Sequence, residues 1–115
     1  MKTLAQFASD FLLTKKSHLH PTVTYEVLPV NCKLWEGGFV DEKGNVREVE
    51  NHHGKWRYSF EDVNHLKVYD LVAYPESIET MGDTIMNIYV DGKVVASGKS
   101  SRCVHIRYLE EEVQG

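Results

Sequence analysis

Six histidines, two cysteines and an isolated aspartate are the side chains of this sequence best suited to acid–base or metal chemistry. Cys103-x-His105 sits in an alternating apolar run, and residues two apart on a strand project from one face, so both could reach one ion. A structural zinc site is normally announced by paired spacings such as Cys-x-x-Cys or His-x3-His, and neither occurs. His18-x-His20 falls in a proline-bounded loop and His52-His53 in a glycine-containing turn, both read as ordinary solvated residues. No metal and no cofactor are expected. Asp70 interrupts a face made by Leu66, Val68, Val72 and Tyr74. A desolvated carboxylate there suits general acid or base work. The simpler reading is a β-bulge at Tyr69-Asp70 that turns the side chain into water.

Other catalytic signatures are missing. There is no Gly-x-Ser-x-Gly elbow, no Gly-x-Gly-x-x-Gly turn and no Walker-type loop. His20-Pro-Thr22 is a single His-x-Thr triplet, whereas a paired-histidine phosphoesterase needs two. Aromatic residues offer binding chemistry instead. Trp56, Tyr58 and Phe60 alternate with Lys55 and Arg57, a pattern shared by single-strand nucleic-acid binders and by core strands with a solvated back. A formal charge of −4, from 13 basic and 17 acidic residues, argues against a phosphate-neutralising surface. Trp35 and Phe39 flank Gly37-Gly38 and are either core plugs or anchors for a partner.

The elements that must position these groups are mostly strands. Asp91-Gly92 between β-branched runs predicts a type I′ hairpin with Val90 facing Lys93, Tyr89 facing Val94, Ile88 facing Val95 and Asn87 facing Ala96. Arg102–Leu109 is expected to return beside it as the third strand of a meander. Further strands are read over Thr22–Leu28, Lys33–Val40, Asn45–Val49, Lys55–Phe60 and Leu66–Tyr74, with a hairpin around Asp41–Gly44 and a bulge at Gly37-Gly38. Thr3 to Lys16 carries an amphipathic helical stripe of Leu4, Phe7, Ala8, Phe11 and Leu12, and Pro75 to Met81 fits a short helix. The expected fold is one α+β domain over residues 1–115, an N-terminal amphipathic helix packed on a curved, mainly antiparallel sheet of about six to eight strands.

Its length bounds the chain to one domain, no apolar run is long enough to span a membrane, and the start lacks a signal-peptide core. With two cysteines read as reduced, a cytoplasmic protein is expected. The functional expectation is a non-enzymatic protein-binding, regulatory domain of the inhibitor-like type carried by phages and mobile elements. Its partner is another protein, with homo-oligomerisation left open. Binding is assigned to Trp35, Phe39, Trp56, Tyr58, Asp70, Tyr74 and His105. Two alternatives stand beside it: a small-ligand or enzyme pocket between helix and sheet, lined by Asp70, Tyr74, Cys103 and His105, and a single-stranded nucleic-acid binder using the Trp56 strand.

Overall fold

The computed structural model describes residues 20–109, in which side-chain alternation produces eight strands. They are β1 Thr22–Pro29, β2 Trp35–Val40, β3 Val46–His52, β4 Trp56–Glu61, β5 Val68–Pro75, β6 Thr84–Val90, β7 Lys93–Ser100 and β8 Val104–Leu109. Two four-stranded antiparallel sheets result, the first in the order β4-β1-β6-β7 and the second in the order β3-β2-β5-β8. β1, β2, β4, β5, β6 and β8 each turn alternate residues inward, and the two inner faces close on each other.

Val23, Tyr25 and Val27 of β1, Phe60 of β4, and Met86 and Ile88 of β6 come from the first sheet. Against them pack Trp35 and Phe39 of β2, Tyr69, Leu71 and Ala73 of β5, and Val104 and Ile106 of β8. Ring pairs cross the interface: Tyr25–Phe39 at 5.7 Å, Phe39–Trp56 at 5.0 Å and Trp35–Trp56 at 5.9 Å between centroids. Burial of each such side chain contributes about 1.5–3 kcal/mol, which makes this contact the main stabilising term. The Tyr25 hydroxyl also donates to the Val40 carbonyl, 2.6 Å away on the opposite sheet.

This arrangement overturns the α+β expectation. The apolar face assigned to a helix is covered by a second sheet, and the described residues contain no α-helix. The helical stripe over Thr3–Lys16 lies outside the described residues. Pro75–Met81 forms only a three-residue 3-10 turn, Ile78–Thr80, closed by reciprocal capping between Ser77 and Thr80. No helix among the described residues is long and apolar enough to cross a membrane.

The C-terminal meander is corrected as well. Hairpin β6–β7 forms, with positive φ at Asp91 (51°) and Gly92 (82°), but β8 leaves it and pairs with β5 in the second sheet. Gly98 permits the crossing: a Cβ there would lie 2.8 Å from Ile106 Cγ2 and 3.0 Å from Val104 Cγ1. The hairpin register holds for Val90–Lys93 and Tyr89–Val94, then slips by one, so that Ile88 faces Ala96 and Asn87 faces Ser97. The bulge lets Val95 and Ala96 both pack against the core while Val94 is exposed.

Three phenols make the fold sensitive to alkali. Burial first, and nearby carboxylates, push the Tyr25 hydroxyl far above the ordinary phenol value of 10.0. Tyr58, bonded to the Glu42 carboxylate, and Tyr89, bonded to Glu26, are raised from the same value. A raised folded-state pKa favours the protonated form, so this contribution is fully present below pH 10.0 and is lost as pH rises beyond it. Phenolate absorbance and circular dichroism followed together should therefore show these tyrosines ionising as the fold is lost. Ionisation of all six tyrosines near pH 10.0 in the folded protein would refute this.

Candidate functional site

The two outer faces differ. On the first sheet, the Glu26 carboxylate accepts hydrogen bonds from Asn87 Nδ2 at 3.0 Å and the Tyr89 hydroxyl at 2.7 Å, with Arg57 Nε at 3.6 Å. Thr24 and Ser59 bond each other at 2.8 Å beside this group. These polar side chains satisfy one another, which lets Thr24 and Glu26 be buried on this face. The second sheet instead carries an apolar trench.

The trench runs along β2, whose outward positions are Glu36, Gly38 and Val40. Gly38 has no side chain to fill the space between the flanking strands, so the floor drops to the backbone. One wall is Val46, Glu48 and Glu50 of β3, and the other is Asp70, Val72 and Tyr74 of β5. Two adjoining hollows share Gly38, Val46 and Val72: one of about 250 Å³ toward Val40, Asp70 and His105, the other of about 520 Å³ toward Glu36, Glu50 and Tyr74. Val46 is 75 % exposed and Tyr74 42 %, so this face offers apolar surface to whatever meets it.

Gly37 has a different task. It points inward, and a Cβ there would stand 2.0 Å from the Val72 carbonyl oxygen, so β2 approaches β5 only with glycine at this position. The register with β3 shifts between Trp35 and Gly37, where three steps of β3 from Val49 to His52 oppose two of β2, so the extra residue belongs to β3 and the bulge expected at Gly37-Gly38 does not form there.

At one end of the trench, Asp70 bridges two side chains of β8. His105 Nε2 contacts one carboxylate oxygen, and Arg107 Nη2 donates to the other at 3.1 Å. The pairing follows from register, since Asp70 faces Arg107 and Val72 faces His105 across the β5–β8 ladder. That ladder runs unbroken from Val68 to Ala73, which removes the bulge expected at Tyr69-Asp70. The face shared by Val68, Val72 and Tyr74 is the outer one. Tyr69, Leu71 and Ala73 point inward at 1 % exposure each, so Asp70, Val72 and Tyr74 form the outer side of a regular strand.

Of the residues singled out from sequence, the structure brings Asp70, Tyr74 and His105 to this trench, has Phe39 border its smaller hollow from the core, and leaves Trp35, Trp56, Tyr58 and Cys103 elsewhere. Trp35 and Phe39 are core plugs, 1 % and 5 % exposed, and cannot act as surface anchors. Trp56 and Tyr58 are half-buried against Phe39, with the Arg47 guanidinium over the Phe39 and Tyr58 rings at 5.8 and 5.7 Å. Their faces are occupied by protein, which removes the stacking platform a nucleic-acid strand would need. The Tyr58 hydroxyl donates to Glu42, and that bond holds the Glu42 carboxyl below its ordinary value.

Cys103 precedes β8 and is exposed, and Cys32 is buried; both are free thiols. Among the described residues no group of three or more His, Cys, Asp or Glu side chains could hold a metal ion. A pocket between helix and sheet is corrected to an open trench on an outer sheet face. Sequence reasoning missed Gly38, Val46, Glu48, Glu50 and Arg107. The signal was available in the i, i+2 alternation of Glu36-x-Gly38-x-Val40 and Val46-x-Glu48-x-Glu50. Comparison of the chain with protein-family models and with curated proteins gives no match.

Proposed function

We propose that this chain is a non-enzymatic protein-binding module that regulates or blocks its partner, and that the outer face of the second sheet is its docking surface. The observation that carries the reading is the glycine-floored trench, with exposed Val46 and Tyr74 and half-buried Val72 above a backbone floor and charged groups around the rim. An apolar centre within a polar margin is the usual anatomy of a protein interface. Two free thiols, one of them exposed, fit a reducing cytoplasmic setting.

A second reading, a small-ligand or enzyme site, draws on the Asp70–His105 contact beside the 250 Å³ hollow, because a carboxylate-held imidazole is a familiar general base. No hydroxyl or thiol side chain lines that hollow, so the groups for nucleophilic catalysis are not gathered there. Binding is the better supported of the two.

Affinity capture from the native host lysate tests the docking surface, comparing the parent chain with Val46→Glu and Val72→Lys. Both positions face outward, so melting temperatures should stay close to the parent while the captured partner is lost. Capture that survives both substitutions would sink the assignment of this face.

A further inference from the structure

The trench is polarised, and its polarity defines the segment it fits. At one end Glu36 and Glu50 bring carboxylates to the rim of the larger hollow, and Glu48 stands beside Gly38 across the β2–β3 ladder. None of them forms an ion pair among the described residues, whereas Asp70 at the opposite end is already held by His105 and Arg107. Toward the other end the lining turns into an apolar stretch, with Gly38 beside Val72 and Val40 beside Val46. An occupant that covers the stretch without a positive group at the acidic end would leave three carboxylates repelling one another in a partly dehydrated site.

We propose that the trench receives an extended segment of the partner protein, bearing an apolar side chain over Gly38 and a lysine or arginine two residues further along. This rests on the docking reading above. Spacing fixes the pattern. Glu36 and Gly38 are alternate residues of β2, so the acidic end and the apolar floor are separated by about 7 Å along the strand. Side chains at i and i+2 of a strand-like segment laid along β2 share one face and the same separation. The recognition element is therefore apolar-x-basic. Phosphate-bearing partners are disfavoured by the same carboxylates, which gives the site a sign as well as a shape.

The test is an amide chemical-shift titration of the isotopically labelled full chain with three short probe peptides at low salt. The first carries Gly-Ser-Leu-Ser-Lys-Ser-Gly, the second replaces its lysine with glutamate, and the third moves the lysine next to the leucine. The first should move the amides of Gly38, Glu48 and Val72 and bind roughly tenfold or more tightly than the second, a preference that salt weakens. The third should fall between them. Glu48→Lys together with Glu50→Lys, both exposed positions, should abolish or invert the charge preference in a chain whose spectrum remains that of the folded protein. Equal binding of all three peptides at the trench overturns the basic specificity while leaving the docking surface intact. Absence of any shift at the trench also overturns it, and the lysate capture with Val46→Glu then decides the docking reading separately.

Discussion

Trp35→Ala should lower the unfolding free energy by ~3–5 kcal/mol, among the largest losses expected of a single substitution in this chain. Trp35 is 1 % exposed, and its indole stands edge-on to Trp56 at 5.9 Å. Its Nε1–H donates to the Gly54 carbonyl at 3.0 Å, fastening β2 to the corner between β3 and β4. Truncation removes the largest wholly buried side chain of the core and one hydrogen bond together. Against a domain stability of ~5–15 kcal/mol, this is a substantial fraction of the whole. Urea denaturation of the parent, Trp35→Ala and Trp35→Phe grades the loss, because phenylalanine retains much of the packing while losing the indole N–H and part of the ring volume. The order of midpoints should be parent, phenylalanine, alanine. If alanine leaves the midpoint unchanged, Trp35 is a surface anchor after all.

The same residue shows what the sequence carries and what it withholds. Trp35 and Phe39 were recognisable as structurally consequential from their size and their place around Gly37-Gly38, but a strand's two faces are equivalent until the opposite sheet is known. Strand existence was legible nearly throughout, since β-branched and aromatic alternation is local: β1, β2, β4, β6 and both hairpin turns follow from it. Partnership was not. β8 follows β7 through a short corner yet pairs with β5, a choice made by Gly98 and by burial of Val104 and Ile106. The phase of β5 failed for a related reason. Leu66, Val68, Val72 and Tyr74 look as apolar as Tyr69, Leu71 and Ala73, and only packing against the first sheet selects the second set. With the phase reversed, Asp70 read as an intruder in a buried face, when its neighbours His105 and Arg107 stand across the ladder in plain register. Of the site, Asp70, Tyr74 and His105 were found individually, whereas the trench was not. A missing side chain at Gly38 gives no chemical signal until its flanking walls are in place.

Gly37→Ala should be nearly as damaging as Trp35→Ala, at ~3 kcal/mol or more, although it adds only a methyl group. The new Cβ would lie 2.0 Å from the Val72 carbonyl oxygen and 3.0 Å from Ala73 Cα, both backbone atoms of the adjoining strand. No rotamer change relieves such a contact. β2 must move away from β5, loosening the ladder from Trp35–Pro75 to Phe39–Leu71 and with it the floor of the trench. Gly38→Ala is the informative counterpart. Its Cβ meets the Val46 and Val72 methyl groups at an ordinary 3.8 and 3.9 Å, and the Arg47 carbonyl oxygen at 3.2 Å, so the β3 backbone must give by a few tenths of an ångström. Stability should therefore fall by only ~1 kcal/mol, the low end of the cost of overpacking. The two adjacent glycines thus divide two roles, one letting the sheet close and the other keeping the trench deep. Unfolding curves read the first. Partner capture or peptide titration on the folded Gly38→Ala and Gly38→Leu chains reads the second, with binding expected to fall as the added side chain fills the trench. A Gly37→Ala chain as stable as the parent would refute the close approach of β2 to β5, and undiminished binding by Gly38→Leu would refute the trench as the docking surface.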